Sequence, residues 1–314
     1  MKRYNVIFIT PRLDKPSLYH TDIIQTFEKL YNVFQYGPGF NYYSVKDNIQ
    51  IVIKKSKMNP DIIVFGTAMS LYNLNIVGLN SISIPKIIFL NKEYQALSKK
   101  LNYIKRNSFN LVSTILNEKL YKPWEESIGI PFVQIPHGIF VDKFPVLDIE
   151  KKYDFGFLGA LFTKYSVVHR ERAKKFIFID TDISKKYNIL WGDDYNRKLF
   201  FGDEYIKMLN SCKMFLSTLS PNGIVGLRFY ELSAVKTMML CPRDYYDGIF
   251  KDGVNCVMYD DDPNSFKEKF EQYIKDDNGR NKIIERAYKD VLEKHSWEQR
   301  IQKLIRTLEN IMEI

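Results

Sequence analysis

The chain has 314 residues, 45% hydrophobic and 26% charged, with a net charge of +9 at pH 7. That is the balance of a soluble globular protein with room for two domains, and no stretch approaches the ~20 apolar residues of a membrane span. The positive charge suits an acidic ligand, nucleic acid or an anionic membrane surface without choosing between them. Cys212, Cys241 and Cys256 are too far apart for a metal-binding CxxC pair, so buried free thiols are expected and nothing calls for an oxidising compartment.

The opening MKRYNVIFITPR has a basic start, but its apolar run is too short for a signal peptide and ends at Pro11. A cytoplasmic location is expected. Residues 6–10 read as a first strand, followed by the polar loop PRLDKPSLYH and the helical pattern TDIIQTFEKLYNV, with Asp22 or Thr21 as its cap. Tyr36, Gly37 and Gly39 in YGPG form a tight turn. Further buried-type strands are expected at 61–66, 86–90, 111–115 and 132–135, with a helix at 94–104 between two of them. These runs are nearly continuous in Val, Ile, Leu and Phe, the pattern of strands covered by helices on both faces, which predicts a parallel, doubly wound sheet. The basic stretch from Lys92 to Arg106, with Leu101, Tyr103 and Ile104 interleaved, is either a solvated helix face or a peripheral contact with an anionic membrane on its inner face.

Residues 136–152, PHGIFVDKFPVLDIEKK, read as a linker, after which the strand–helix pattern restarts with YDFGFLG. Strands are expected at 176–179, 188–191, 213–218, 238–241 and 255–259, then helices at 265–275 and 281–294. A capping box of Ser296 and Gln299 opens a last helix whose Ile301, Leu304, Ile305, Leu308 and Ile311 recur at helical spacing. Two Rossmann-like domains follow, 1–142 and 143–314. The last helix, about 297–314, belongs to the second or packs back on the first. Ligands of such sheets bind beyond the carboxyl ends of the strands, here expected in a cleft between the domains.

The segment 226–262 is the most informative. It reads as helix, strand, loop, strand, with Arg228 and Glu231 in the first turns of the helix. A loop that delivers a helix N-terminus into a cleft is an anion site. A carboxylate one turn further in can accept hydrogen bonds from a ribose diol. Together these point to a nucleotide. The alternative is an ordinary crossover with a surface Arg–Glu pair. GFLGALFTK lacks the glycine–lysine pair of a P-loop, and no zinc knuckle or RNA-binding motif supports nucleic acid as a partner. Asp193-Asp194 and residues 260–262 are read as turns or helix caps, so no metal is expected.

Over its whole length the sequence resembles GT-B fold glycosyltransferases of the group 1 superfamily, and most closely their spore-maturation CgeB-like branch. The resemblance is carried by FLG after the linker, WGDDY, FGDEYIKMLNSCKMFLST, NGIVGLRFYEL, YDGIFKDGVNCVMYDD and HSWEQR, and in the first half by YGPG, NPDIIVFG and PHGIFVDKF. It implies transfer of a sugar from a nucleoside-diphosphate sugar to a glycan, lipid or protein acceptor, with no cofactor and no obligatory metal. Glu231 falls on the ribose-binding glutamate and Arg228 on the motif arginine, which sits beside the diphosphate or braces the loop. Gly226 and Leu227 would lend backbone donors to the diphosphate, Gly159 would let the backbone approach it, and Lys164 and Arg170 would neutralise it. Ile224 and Gly223 stand where many retaining relatives carry a further acid, which leaves the stereochemistry open. A general base, where one is needed, is expected among His20, Asp14 and His137. A sugar-nucleotide epimerase and a catalytically silent nucleotide-binding relative are the alternatives on the same fold.

Overall fold

The computed structural model describes residues 3–12, 18–66, 76–90, 95–159, 183–193, 200–219, 224–260 and 262–313. They divide into two compact units: one comprises Met1–Pro136 with Trp297–Ile314, the other His137–Ser296.

The first unit is built on six parallel strands, β1 (Asn5–Ile9), β2 (Asn32–Tyr36), β3 (Ile62–Phe65), β4 (Lys86–Phe89), β5 (Leu111–Thr114) and β6 (Phe132–Gln134), in the order β2-β1-β3-β4-β5-β6. β3, β4 and β5 are buried along their whole length, which is why they read as largely apolar runs. β2 is an edge strand of mixed burial. Its first two residues, Asn32 and Val33, were expected to continue the preceding helix, but α1 (Leu18–Leu30) ends before them. Asp22 and Thr21 therefore lie inside α1 rather than at its cap, and Asp22 is buried.

One face of this sheet is covered by α2 (Ile49–Ser56), α3 (Leu97–Arg106) and α4 (Glu118–Ile128), which share a core with the strands around Ile63, Phe65, Ile88, Ile104 and Tyr121. Asn48 caps α2 by accepting from the Ile51 N–H at 3.0 Å. Leu101, Tyr103 and Ile104 of α3 turn into this core, so its outward face presents Lys99, Lys105 and Arg106. Lys92 lies outside the described residues. Any membrane contact through α3 would rest on charge alone. The last helix of the chain, Trp297–Met312, packs on α1. The Tyr4 hydroxyl donates to Glu309 at 2.6 Å, and Lys29 pairs with Glu298.

The second unit repeats the plan with five parallel strands: β7 (Tyr153–Gly159), β8 (Ile189–Asp193), β9 (Cys212–Leu216), β10 (Met238–Pro242) and β11 (Val257–Tyr259), in the order β11-β10-β9-β7-β8. Its helices are α5 (Ile183–Lys186), α6 (Gly202–Asn210), α7 (Leu227–Ala234), α8 (Pro263–Lys275) and α9 (Asp277–Lys294); the last helix of the chain is α10. The strand expected at 176–179 lies outside the described residues. α8 begins two residues before the expected start because Asp262 caps it, accepting from the Asn264 and Ser265 N–H groups at 2.9 Å each. A side chain at Gly156 would place its Cβ 2.7 Å from Cys212 Sγ and from a ring carbon of Phe215, so only glycine lets β7 lie this close to β9. In both sheets the order reverses beside the first strand, between β1 and β3 and between β7 and β9. Those switch points open crevices at the strands' carboxyl ends. Among the described residues no helix is long and apolar enough to cross a membrane.

Candidate functional site

The switch point of the second unit is where the motif residues gather. β7 ends in Leu158 and Gly159, and β9 ends beside it in Phe215 and Leu216. The chain then returns to α7, whose Phe229, Tyr230, Leu232 and Ala234 are buried against Phe215 and the rest of one core cluster. Buried apolar positions at 229, 230, 232 and 234 hold the helix on the sheet and bring its first turn to the strand ends.

Gly226 precedes α7 in an extended conformation and supplies no side-chain cap. The N–H groups of Leu227 and Arg228 have no acceptor within the helix, as at any helix start, and the dipole adds partial positive charge there. At the other end, Lys236 takes a left-handed conformation with φ of 53°. The Lys236 N–H donates to Ser233 O and the Thr237 N–H to Leu232 O, so Lys236 closes the helix in the left-handed conformation that glycine usually supplies.

Glu231 is 6% exposed. Its Oε2 accepts from Arg228 Nε at 3.2 Å and from the hydroxyl of Tyr205 on α6. Oε1 has no hydrogen-bond partner among the described residues and is not among the fully buried unpaired atoms. The carboxylate is thus anchored through one oxygen and open at the other. Arg228 Nη1 also donates to Leu158 O at 2.9 Å, and its guanidinium lies over the rings of Tyr205 and Phe215 at 5.1 and 5.3 Å. One arginine therefore ties α7 to the end of β7 and orients Glu231.

The electrostatics are consistent with this arrangement. Burial acts against the Arg228 charge, but the Tyr205 oxygen and the Glu231 carboxylate outweigh it and raise its pKa. Burial pushes the Tyr205 hydroxyl well up, opposed by Arg228 and aided by Glu231. Tyr205 is therefore a neutral donor at physiological pH.

Seven of the ten sequence-derived candidates thus have described positions, His20 through its backbone alone. Gly159, Gly226, Leu227, Arg228 and Glu231 converge on this switch point, and His137 is half-buried in the irregular stretch after β6. His20 lies in α1, with its side chain outside the described residues, and Asp14, Lys164 and Arg170 fall outside them altogether. Of the aspartates read as turns or caps, Asp193 ends β8, Asp260 pairs with Arg243 at 2.7 Å and Asp262 caps α8; Asp194 and Asp261 are not described. Tyr205 escaped the sequence reading. It lies 26 positions before Glu231, and a tyrosine on an amphipathic helix carries no local sign of a distant carboxylate.

Residues 177–306 match a family described as glycosyl transferase-like. No curated protein matches the sequence. Among solved structures the chain is similar to a glycosyltransferase from Rickettsia africae ESF-5, with a TM-score of 0.67 at 12% identity over 99% of each chain. It is similar to HepE (Alr3699) of Anabaena in complex with UDP and glucose, with a TM-score of 0.61 at 11% identity over 98% of this chain and 100% of that one. It also resembles an α-glucosyltransferase in complex with UDP-glucose and DNA containing an abasic site, with a TM-score of 0.64 at 11% identity over 98% and 100%. Likeness of this kind over the full length shows a shared fold, the GT-B fold of two parallel-sheet α/β domains.

Proposed function

We propose that this GT-B chain is a glycosyltransferase that moves a sugar, a hexose in the narrower reading, from a nucleoside-diphosphate sugar to a glycan, lipid or protein acceptor. The observation that carries the reading is Glu231, buried at the switch point, anchored through Oε2 by Tyr205 and Arg228 and open at Oε1. A carboxylate so held accepts hydrogen bonds from the two hydroxyls of a ribose without reorganising. Four to five residues earlier, the uncapped start of α7 offers backbone donors to the diphosphate through Gly226 and Leu227. The match of residues 177–306 to a glycosyl transferase-like family supports the same reading. The narrower resemblance to the CgeB-like branch rests on the sequence motifs.

Sugar transfer requires the diphosphate to leave with growing negative charge. Donors fixed at a helix start stabilise that charge without an obligatory metal. In this reading Arg228 acts as the brace of the loop, since its Nε and Nη1 are directed to Glu231 and Leu158 O. Gly159, which follows Leu158, keeps the strand end open to the backbone, and Lys164 and Arg170 are proposed to face the phosphates. The acceptor hydroxyl is proposed to lose its proton to His20, Asp14 or His137. A cytoplasmic location belongs to the same proposal, with peripheral contact at an anionic inner membrane face through the basic stretch from Lys92 to Arg106.

Calorimetry with UDP, ADP, GDP and their sugar conjugates tests the donor site, with wild type beside Glu231→Ala. UDP comes first because the HepE structure holds UDP and the α-glucosyltransferase structure holds UDP-glucose. One nucleoside diphosphate is expected to bind, at least about tenfold more weakly in the variant, as loss of a charged hydrogen-bond partner predicts. Equal affinity in the two proteins would remove Glu231 from the site. Binding of none by the folded wild type would remove the transferase reading.

A further inference from the structure

The same switch point holds a polar side chain that the Glu231 cluster does not use. Ser217 follows β9 and is 3% exposed. Its N–H extends the sheet ladder onto Leu240 O at 3.0 Å, while its Oγ is buried without a hydrogen-bond partner among the described residues. Native folds rarely leave a buried hydroxyl unpaired, and such a group calls for an explanation.

Its position supplies one. Side chains alternate along a strand, so Ser217 shares the face of Phe215, and Leu216 takes the other. Phe215 belongs to the cluster with Phe229, Tyr230 and Leu232 of α7, whereas Leu216 packs in the cluster on the opposite face. Arg228, in the first turn of α7, lies over the Phe215 ring. By the same alternation Ser217 falls on the face that α7 covers, and it follows the carboxyl end of β9, the end from which the chain returns to the start of α7. There Gly226 provides no side-chain cap and the first amides have no helical acceptor.

We propose that Ser217 Oγ and the Leu227 and Arg228 amides form one anion subsite, in which the serine hydroxyl donates to an oxygen of the donor's diphosphate. The inference rests on the glycosyltransferase reading and extends it to a residue that no motif singled out. It also supplies a side-chain donor at a helix start whose own arginine is directed elsewhere.

Ser217→Ala in the full chain gives opposite signs for stability and binding. Removing an unpaired buried hydroxyl leaves the melting temperature unchanged or raises it. In calorimetry, affinity is expected to fall about tenfold or more for inorganic pyrophosphate and for whichever of UDP, ADP and GDP the wild type binds. Affinity for the corresponding nucleoside, which lacks phosphates, is expected to be unchanged. Unaltered diphosphate affinity in the variant would overturn the Ser217 assignment and leave the transferase reading standing. An equal loss for nucleoside and diphosphate would also overturn it, as a sign of a structural role. A wild type that binds none of the three diphosphates sinks the transferase reading and this inference together.

Discussion

At the scale of single residues, Glu231 depends on its neighbours for orientation. Tyr205 and Arg228 both bond to Oε2, and they differ in what their loss should do. Tyr205→Phe keeps the ring under Arg228 and removes one donor. The carboxylate then gains rotational freedom, so selectivity for the ribose diol should weaken. The expected outcome is that the ratio of 2′-deoxy-UDP to UDP dissociation constants falls severalfold, with the melting temperature within a few degrees of wild type. An unchanged ratio would make Tyr205 a packing residue only. Arg228→Met removes the cation beside a carboxylate that is 6% exposed. Breaking a buried pair from one side costs about 3 kcal/mol, so a clear drop in the denaturant midpoint is expected even without ligand. A variant as stable as wild type would mean that Leu158 and Glu231 do not need the brace.

At the scale of elements, burial decides which segments announce themselves. β3, β4 and β5 are buried at every residue, and continuous apolar runs predicted them. β2 pairs on one side only and shows no such run, so its first two residues were read as the end of the helix before it and no strand was expected there. α2 is a run of β-branched residues that fits neither period cleanly, and its Asn48 cap becomes evident only from the geometry. α10 was predicted at full length because its buried positions recur at helical spacing. Which unit it serves is a tertiary fact. Ile301, Leu304, Ile305 and Leu308 are each at most 3% exposed. At roughly 2 kcal/mol per buried side chain their loss approaches the whole stability of a domain. A chain ending at Ser296 is therefore expected to lose cooperative unfolding of the first unit, seen as a broad or missing calorimetric transition. A truncated chain that melts as sharply as the full one would argue that α10 is an accessory.

At the scale of the whole molecule, charge is divided unevenly. Residues 1–136 with 297–314 hold 20 Lys and Arg against 12 Asp and Glu, whereas residues 137–296 hold 26 against 25. The first unit thus carries +8 of the net +9. Neither α2 nor α3 contains an acidic residue. Such a field attracts polyanions over a distance set by salt. The protein is expected to be retained on heparin at low ionic strength and released as salt rises, and replacing Lys99, Lys105 and Arg106 by Glu should lower the eluting concentration. Passage without retention at low salt would show that the charges are too dispersed to act together.

Pattern and composition alone predicted the parallel strand–helix plan of both halves and the Arg228–Glu231 pair at a helix start, though not β2, α2 or α4, because periodicity and capping chemistry are local and survive in one dimension. Tertiary structure alone decided that Arg228 reaches the Leu158 carbonyl 70 positions away, that Tyr205 holds Glu231 by one oxygen, that Ser217 is buried without a partner among the described residues and that α10 packs on α1. Each of these depends on which distant segments the folded sheets bring together. Contacts of that kind follow from topology and close packing, and leave no spacing in the sequence to read.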